Sequence, residues 1–271
     1  AVDLGMISTK GFKGFIYKYF RAKEKKLYAL SDYIGCMSEA NLKYVLDHNP
    51  EIDSEKVEVC PNSVEVIDRG VDDDTKFKIR AKYGIPQNKI VFIYGGNLGK
   101  PQGISFLIEC LKTQEKNEEA FFLIVGDGTE FGKLETYFEE ANPTNMKLMK
   151  RLPKDDYDKM AGACDVGMIF LDHRFTIPNF PSRLLAYMQA RLPVLAVTDQ
   201  NTDIGKVIVD GGFGWWCESN DREKFIKEVR AALQSDFHTA RDKEFQYLLD
   251  YFTVDKAYEK IMSHFLKENG V

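Results

Sequence analysis

Residues 90–128 read IVFIYGGNLGKPQGISFLIECLKTQEKNEEAFFLIVGDG. A strand-sized apolar run at 90–95 ends in a glycine-rich loop, a helical stretch near 103–113 follows, and a second apolar run at 121–125 ends in the turn Gly126-Asp127-Gly128. Short apolar runs of this kind, separated by a helix, make a βαβ unit whose strands are parallel and buried on both faces. The same alternation continues downstream. Strands are expected at 146–149, 166–170, 193–197 and 214–217, with helices near 130–141, 154–163, 182–191 and 203–210 between them. Helices near 221–234, 238–250 and 254–268 end the chain. The fold class is therefore α/β, a doubly wound parallel sheet of Rossmann-like type, with no internal repeat or low-complexity segment competing.

Upstream, residues 23–66 read as helix, strand (33–37), helix (39–47) and strand (57–60), closing at Pro61-Asn62. Ser38 stands as the N-cap of the second helix, with Asn41 three residues on. Residues 62–74 lose periodicity and are expected to be a linker, in which Asp72-Asp73-Asp74 reads as a solvated acid run rather than a metal site.

Composition bounds the function classes. With 271 residues, 44% hydrophobic and 29% charged, the chain is long and apolar enough to fold around a core. No apolar run approaches the roughly 18 to 20 residues of a spanning helix. Five scattered cysteines, with no CxxC pair, suggest neither a disulfide framework nor a zinc site, and so point to a reducing cytoplasm. No signal-peptide pattern follows Ala1, which argues against secretion, and the missing initiator Met suggests a cut edge with more sequence upstream. The 42 acidic residues exceed the 37 basic ones, which argues against a nucleic-acid partner. The first 30 residues run the other way. Lys10, Lys13, Lys18, Arg21, Lys23, Lys25 and Lys26 outnumber Asp3 and Glu24, and Phe12, Phe15, Ile16, Tyr17, Tyr19 and Phe20 are interleaved among them. Residues 10–26 thus read either as a surface helix meeting anionic headgroups or as a solvated helix packed on a further domain.

In a doubly wound sheet, ligands bind where strand ends feed helix N-termini. The loop Gly95-Gly96-Asn97-Leu98-Gly99-Lys100-Pro101-Gln102-Gly103 lets backbone approach a phosphate, yet its spacing is not GxGxxG and no acid ends the second strand, so a nicotinamide oxidoreductase is disfavoured. The loop 171–183 is longer than usual and ends in Pro181-Ser182-Arg183 at the mouth of a helix. Free amides there would face the cleft, with Arg183 able to fork onto a phosphate. Lys100 is the other cation near by in sequence.

The stretch Gly96 to Gly103, the Gly126-Asp127-Gly128 turn, Leu152-Pro153 before Asp156, and Pro181-Ser182-Arg183-Leu184-Leu185-Ala186-Tyr187-Met188 followed by Pro193-Val194-Leu195-Ala196 resemble the donor half of family 4 glycosyltransferases of the GT-B fold, in the bacterial surface-polysaccharide branch. Residues 56–66 resemble the strand and Pro-Asn hinge between that family's two halves. The resemblance implies three parts: 1–66 as the tail of an acceptor-type domain and hinge, 67–250 as a nucleotide-sugar domain, and 251–271 as a helix bracing the N-terminal part. It implies transfer of a sugar, with retention, from a nucleotide-sugar, most simply UDP-linked, to a glycan or polyprenyl-linked acceptor. Neither a metal nor another cofactor is expected. The enzyme would be cytoplasmic, with a place on the inner face of the membrane.

The residues this assigns to donor binding are Gly96, Asn97, Gln102, Gly103, Gly126, Asp127, Arg151, Asn179, Pro181, Ser182 and Gln189, with Lys100 and Arg183 as the catalytic cations. The sequence departs from the family pattern at the clamp, where Asn97 and Gln102 replace the usual arginine and lysine. It departs again at the paired glutamates, which fall on Pro178 and Ala186; Asn179 and Gln189 are then the candidate neutral substitutes. These losses leave a second reading open, a catalytically silent nucleotide-sugar module or one subunit of a split transferase. Other residues carry two readings each. His173 with Arg174 is an acceptor contact or base, or a surface turn. Asp127 reads as a turn-former, and Asp155, Asp156 and Asp158 as a helix start. Trp215 and Trp216 are expected to meet core on one face and a lid or interface on the other.

Overall fold

The computed structural model describes residues 10–268, without the side chains of Phe12, Lys13, Lys267 and Glu268; Asp3 lies outside the described residues. The order begins α1 (Gly11–Leu30), β1 (Ile34–Cys36), α2 (Glu39–His48), β2 (Val57–Val59) and α3 (Asp73–Tyr83). It continues β3 (Ile90–Asn97), α4 (Ile104–Thr113), β4 (Ala120–Asp127), α5 (Phe131–Ala141), β5 (Met146–Lys150), α6 (Lys154–Gly162) and β6 (Val166–Phe170). Then follow α7 (Arg183–Gln189), β7 (Val194–Thr198), α8 (Ile204–Asp210), β8 (Gly214–Glu218), α9 (Arg222–Leu233), α10 (Phe237–Tyr251) and α11 (Val254–Glu268).

Six strands form one parallel sheet in the order β5-β4-β3-β6-β7-β8. The chain winds outward from β3 through β5, returns to β6 beside β3, and winds the other way. The switch point therefore falls between β3 and β6, where a crevice opens at the carboxyl ends of such strands. Alternation along β3 supplies two cores. Val91 and Ile93 pack with α6, α7, α8 and α10, while Phe92 and Tyr94 pack with α4, α5 and α9. Each face is covered, which is why the strands read as continuous apolar runs.

The linker expectation for 62–74 needs correction at its end. Asp72 accepts a hydrogen bond from Thr75 N at 2.7 Å and caps α3, so Asp73 and Asp74 form the first helical turn, and Gly84 ends the helix at φ +62°. Arg80, 2% exposed, anchors α3 beneath the sheet. It donates to Ala163 O and meets Asp165 at 2.5 Å, while Lys76 reaches the same carboxylate at 2.6 Å. Burial pushes the Asp165 carboxyl up, but Arg80 and Lys76 outweigh it and hold it below the usual range.

The N-terminal segment folds around the two-stranded parallel sheet β1-β2. Ser38 caps α2 through Asn41 N, as its spacing implied. This segment and the linker after it are joined to the helices that follow. Ala40 N donates to Asp203 at 3.0 Å, Val64 pairs with Thr253 in an isolated bridge, and His264 of α11 lies 2.9 Å from Glu58 and stacks on Tyr33. Trp216 donates to Thr198 and packs against one core, while Trp215 meets Phe237 beside the other, so both half-buried tryptophans brace the edge strand β8. No helix among the described residues is long and apolar enough to cross a membrane.

Candidate functional site

Two cavities open at the switch point and meet at Asn97, Arg183 and Ala186. The first, about 590 Å³, lies between the N-terminal segment, through Met37 and Asn62, and the ends of β3 and β6. Tyr94, Gly95, Asn97 and Gln102 line it on one side, and Asn179, Phe180, Pro181 and Ser182 of the long loop on the other. The second, about 470 Å³, lies over Gly126 and Asp127 at the end of β4 and is closed by Arg151, Leu152, Lys154, Tyr157 and Asp158. Arg183 and Ala186, on consecutive turns of one helix face, line both, as does Asn97 at the end of β3.

The glycines at the strand ends make this geometry possible. Gly96 has φ +134°, and a Cβ there would lie 2.5 Å from Arg183 Nη2. At Gly126 a Cβ would lie 2.1 Å from the Gly96 carbonyl oxygen, so β3 and β4 approach too closely for any side chain. Arg183 is thus folded back onto the backbone of β3, with its guanidinium carbon 5.2 Å from the centre of the Tyr157 ring. Among the described residues no carboxylate lies within ion-pair distance of it. Burial works against the charge at Arg183, and the facing oxygens of Tyr187, Tyr157 and Tyr94 outweigh it, so the guanidinium stays protonated. Burial pushes all three tyrosine hydroxyls up, which keeps them neutral. Tyr187, one turn after Arg183, donates to Ile93 O and Met168 O at 3.2 Å and accepts from Gly95 N, tying α7 to β3 and β6.

The glycine loop is closed on itself. Gln102 accepts from Asn97 Nδ2 at 3.1 Å and from Gly99 N at 3.2 Å, so the two residues at the clamp positions bind each other. The mouth of α7 offers fewer donors than its sequence promised, because Leu184 N and Leu185 N turn inward to Pro181 O and Ser182 O. A half-buried cation with no carboxylate partner among the described residues, at the junction of two polar-lined cavities, can hold an anion whose two ends reach into different spaces.

The other expected site residues fall as follows. Lys100 is exposed on a short 3-10 turn and lines neither cavity; Gly103 ends that turn at φ +62° and also stays outside both. Gln189 is buried on the far face of α7, where its amide donates to Glu65 O at 2.7 Å, so it holds the linker. Asp172 grips Arg174 through two hydrogen bonds of 2.7 and 2.8 Å and lies 3.8 Å from His173, which makes 172–174 a closed surface turn apart from both cavities. Asp158 lines the second cavity and pairs with Arg69 and Lys154. Asp127 accepts from Gly128 N at 2.8 Å, the turn-forming part its sequence suggested. No group of three His, Cys, Asp or Glu side chains converges among the described residues. Tyr94, Tyr157 and Tyr187 were absent from the sequence-derived set, and their only signal was aromatic character next to the loops that carry the site.

A sequence profile of the family described as glycosyl transferases group 1 matches residues 75–246, more than half of the chain. The probable glycosyltransferase WbjE of Pseudomonas aeruginosa is 31% identical over 135 residues, which are 50% of this chain and 34% of that protein. The putative colanic acid biosynthesis glycosyl transferase WcaI of Escherichia coli (strain K12) is 22% identical over 267 residues, 97% of this chain and 63% of that one. The chain thus spans 34% and 63% of the curated relatives it matches. Among solved structures, Anabaena Alr3699/HepE in complex with UDP and glucose is similar with a TM-score of 0.76 at 16% identity, over 91% of this chain and 66% of that one, a likeness of fold.

Proposed function

The chain belongs to the group 1 glycosyl transferases, and from that premise we propose that it carries the donor-binding part of a bacterial polysaccharide glycosyltransferase. The donor is a nucleotide-sugar, taken to be UDP-linked. Its nucleoside occupies the cavity over Gly126, Asp127 and Arg151, its diphosphate meets Arg183, and its sugar enters the cavity walled by Asn179, Pro181 and Ser182. The acceptor, a glycan or a polyprenyl-linked glycan, approaches from the side of Met37 and Asn62. The transfer retains anomeric configuration.

One observation carries this reading: the half-buried Arg183 guanidinium, with no carboxylate partner among the described residues, at the junction of the two cavities. As the glycosidic bond breaks, negative charge grows on the leaving diphosphate, and a cation already in place stabilises it without reorganisation. We assign that work to Arg183 and not to a divalent metal. Losing a charge-assisted contact of about 1.5–3 kcal/mol weakens binding roughly 10- to 150-fold. Calorimetric titration of the 271-residue chain with UDP tests this: Arg183→Ala is expected to lose at least tenfold in affinity, and an unchanged Kd refutes the assignment.

A second reading, a silent nucleotide-sugar module or one subunit of a split transferase, is favoured by Ala186 lining both cavities where the family carries a carboxylate. Binding of UDP without hydrolysis or transfer of UDP-glucose, with a partner chain present, would select it. The place of action proposed is the cytoplasmic face of a membrane, reached through α1. On that helix Phe15, Tyr19, Phe20, Leu27 and Leu30 are exposed among Lys18, Lys23 and Lys26. Liposome flotation independent of anionic lipid would remove that part.

A further inference from the structure

We infer that Tyr157, on α6, is the positioning residue that holds the Arg183 guanidinium at the meeting point of the two cavities. This rests on the reading of Arg183 as the diphosphate receptor. The two side chains come from helices in separate βα units, and both press onto the bare glycine pair at the end of β3. A Cβ at Gly95 would fall 1.9 Å from Tyr157 Oη, as one at Gly96 would fall on Arg183 Nη2. The ring of Tyr157 lies under the guanidinium carbon at 5.2 Å, within the range where a cation is attracted to an aromatic face. No ion pair fixes the guanidinium among the described residues, so a flexible arginine would otherwise swing into either cavity.

The Tyr157 hydroxyl lies against Gly95 and faces both Tyr187 and Arg183, close enough to act on their charge but outside ordinary hydrogen-bond geometry. The holding is assigned to the ring, whose face lies under the guanidinium. Tyr157→Phe removes one of the three oxygens that face the guanidinium but keeps the ring face, which makes it the conservative control. A ring without the hydroxyl should position Arg183 as the native side chain does, whereas an aliphatic side chain of similar bulk should release it.

The experiment measures UDP affinity by calorimetry on the 271-residue chain, with circular dichroism to confirm folding. Tyr157→Phe is expected to stay within about twofold of the native chain, and Tyr157→Leu to weaken binding at least tenfold. In an Arg183→Ala background, Tyr157→Leu should add nothing, because residues acting through one group are not additive. Should Tyr157→Leu fail to fold, a graded series of fluorinated phenylalanines at position 157 keeps shape while draining the ring face of negative charge; affinity should fall step by step. A flat series overturns the inference. So does Tyr157→Leu binding like the native chain while Arg183→Ala loses affinity, and so does a full further loss in the Arg183→Ala background. If Arg183→Ala itself binds UDP normally, the receptor reading has failed, and that outcome is distinct from the others.

Discussion

Gly96→Ala is the most informative single perturbation of this site, because one methyl group meets two obstacles whose effects separate. The backbone at Gly96 has φ +134°, a region an L side chain enters at a cost of about 1–3 kcal/mol. The new Cβ would also lie 2.5 Å from Arg183 Nη2, whereas unstrained contacts begin near about 3.5 Å, so the guanidinium must retreat by about 1 Å. The guanidinium is the far end of a flexible side chain and can move, so the clash is relieved at the expense of position. Stability should fall by about 1–3 kcal/mol, and UDP affinity by roughly 10-fold or more, the scale of a lost charge-assisted contact. Urea denaturation reads the first quantity and calorimetry the second. In an Arg183→Ala background the backbone cost should remain, while the affinity loss should vanish because nothing is left to displace. The reasoning is refuted if Gly96→Ala binds UDP like the native chain, or if its affinity loss persists undiminished without Arg183.

Three further outcomes are expected. Lys100→Ala, removing an exposed cation outside both cavities, should change UDP affinity less than about twofold and stability by less than about 0.5 kcal/mol; a loss as large as that of Arg183→Ala would return Lys100 to the site. Asp165→Asn strands the buried Arg80 and should cost about 3–5 kcal/mol at neutral pH by urea titration. Because the native carboxyl is held below its ordinary range, its contribution is present above about pH 4 and lost as pH falls further, so the gap between native and variant should narrow in acid. Glu244 behaves oppositely: burial pushes its carboxyl well up, Arg241 and Arg191 only partly offset this, and neither oxygen has a hydrogen-bond partner among the described residues. The folded chain then holds a proton the unfolded chain releases, so stability drains as pH rises above about 4.5, by up to about 1.4 kcal/mol per pH unit, until the raised folded value is passed. Glu244→Gln should therefore gain on the native chain between pH 5 and about pH 7 in urea melts, and a pH-independent difference would sink the assignment.

The central strands β3, β4, β6 and β7 were legible because they are buried on both faces, which only a run of apolar residues satisfies; the edge strands β5 and β8 are partly exposed. Helix α3 was hidden by the same logic run backwards. Asp73, Asp74, Lys76, Lys78, Arg80 and Lys82 leave it almost no apolar stripe, and the side chain that fixes it in the interior is a charged one, Arg80. Its ends were nonetheless written in the chain, in Asp72 with Thr75, in Gly84 and in Pro86, and these punctuation marks outrank periodicity for a helix whose anchor is an ion pair.

The site divides in the same way. Arg183 could be found because a cation at the mouth of a helix after a central strand is a local pattern. Gln189 could have been set aside by the arithmetic of the helix: six residues on, at 3.6 per turn, lies about 240° round from Arg183, whereas Tyr187 at four residues shares its face. Gln189 accordingly serves the linker at Glu65, and Tyr187 the strand ends. Tyr157 had no such local mark. It reaches Arg183 from another helix across the glycine pair at the end of β3, so its partnership is a product of tertiary closeness at Gly95 and Gly96. The glycines, read alone as room for a phosphate, are equally room for an arginine and the tyrosine beneath it. At this junction the cation stands on α7, facing a glycine loop in which Asn97 and Gln102 are neutral.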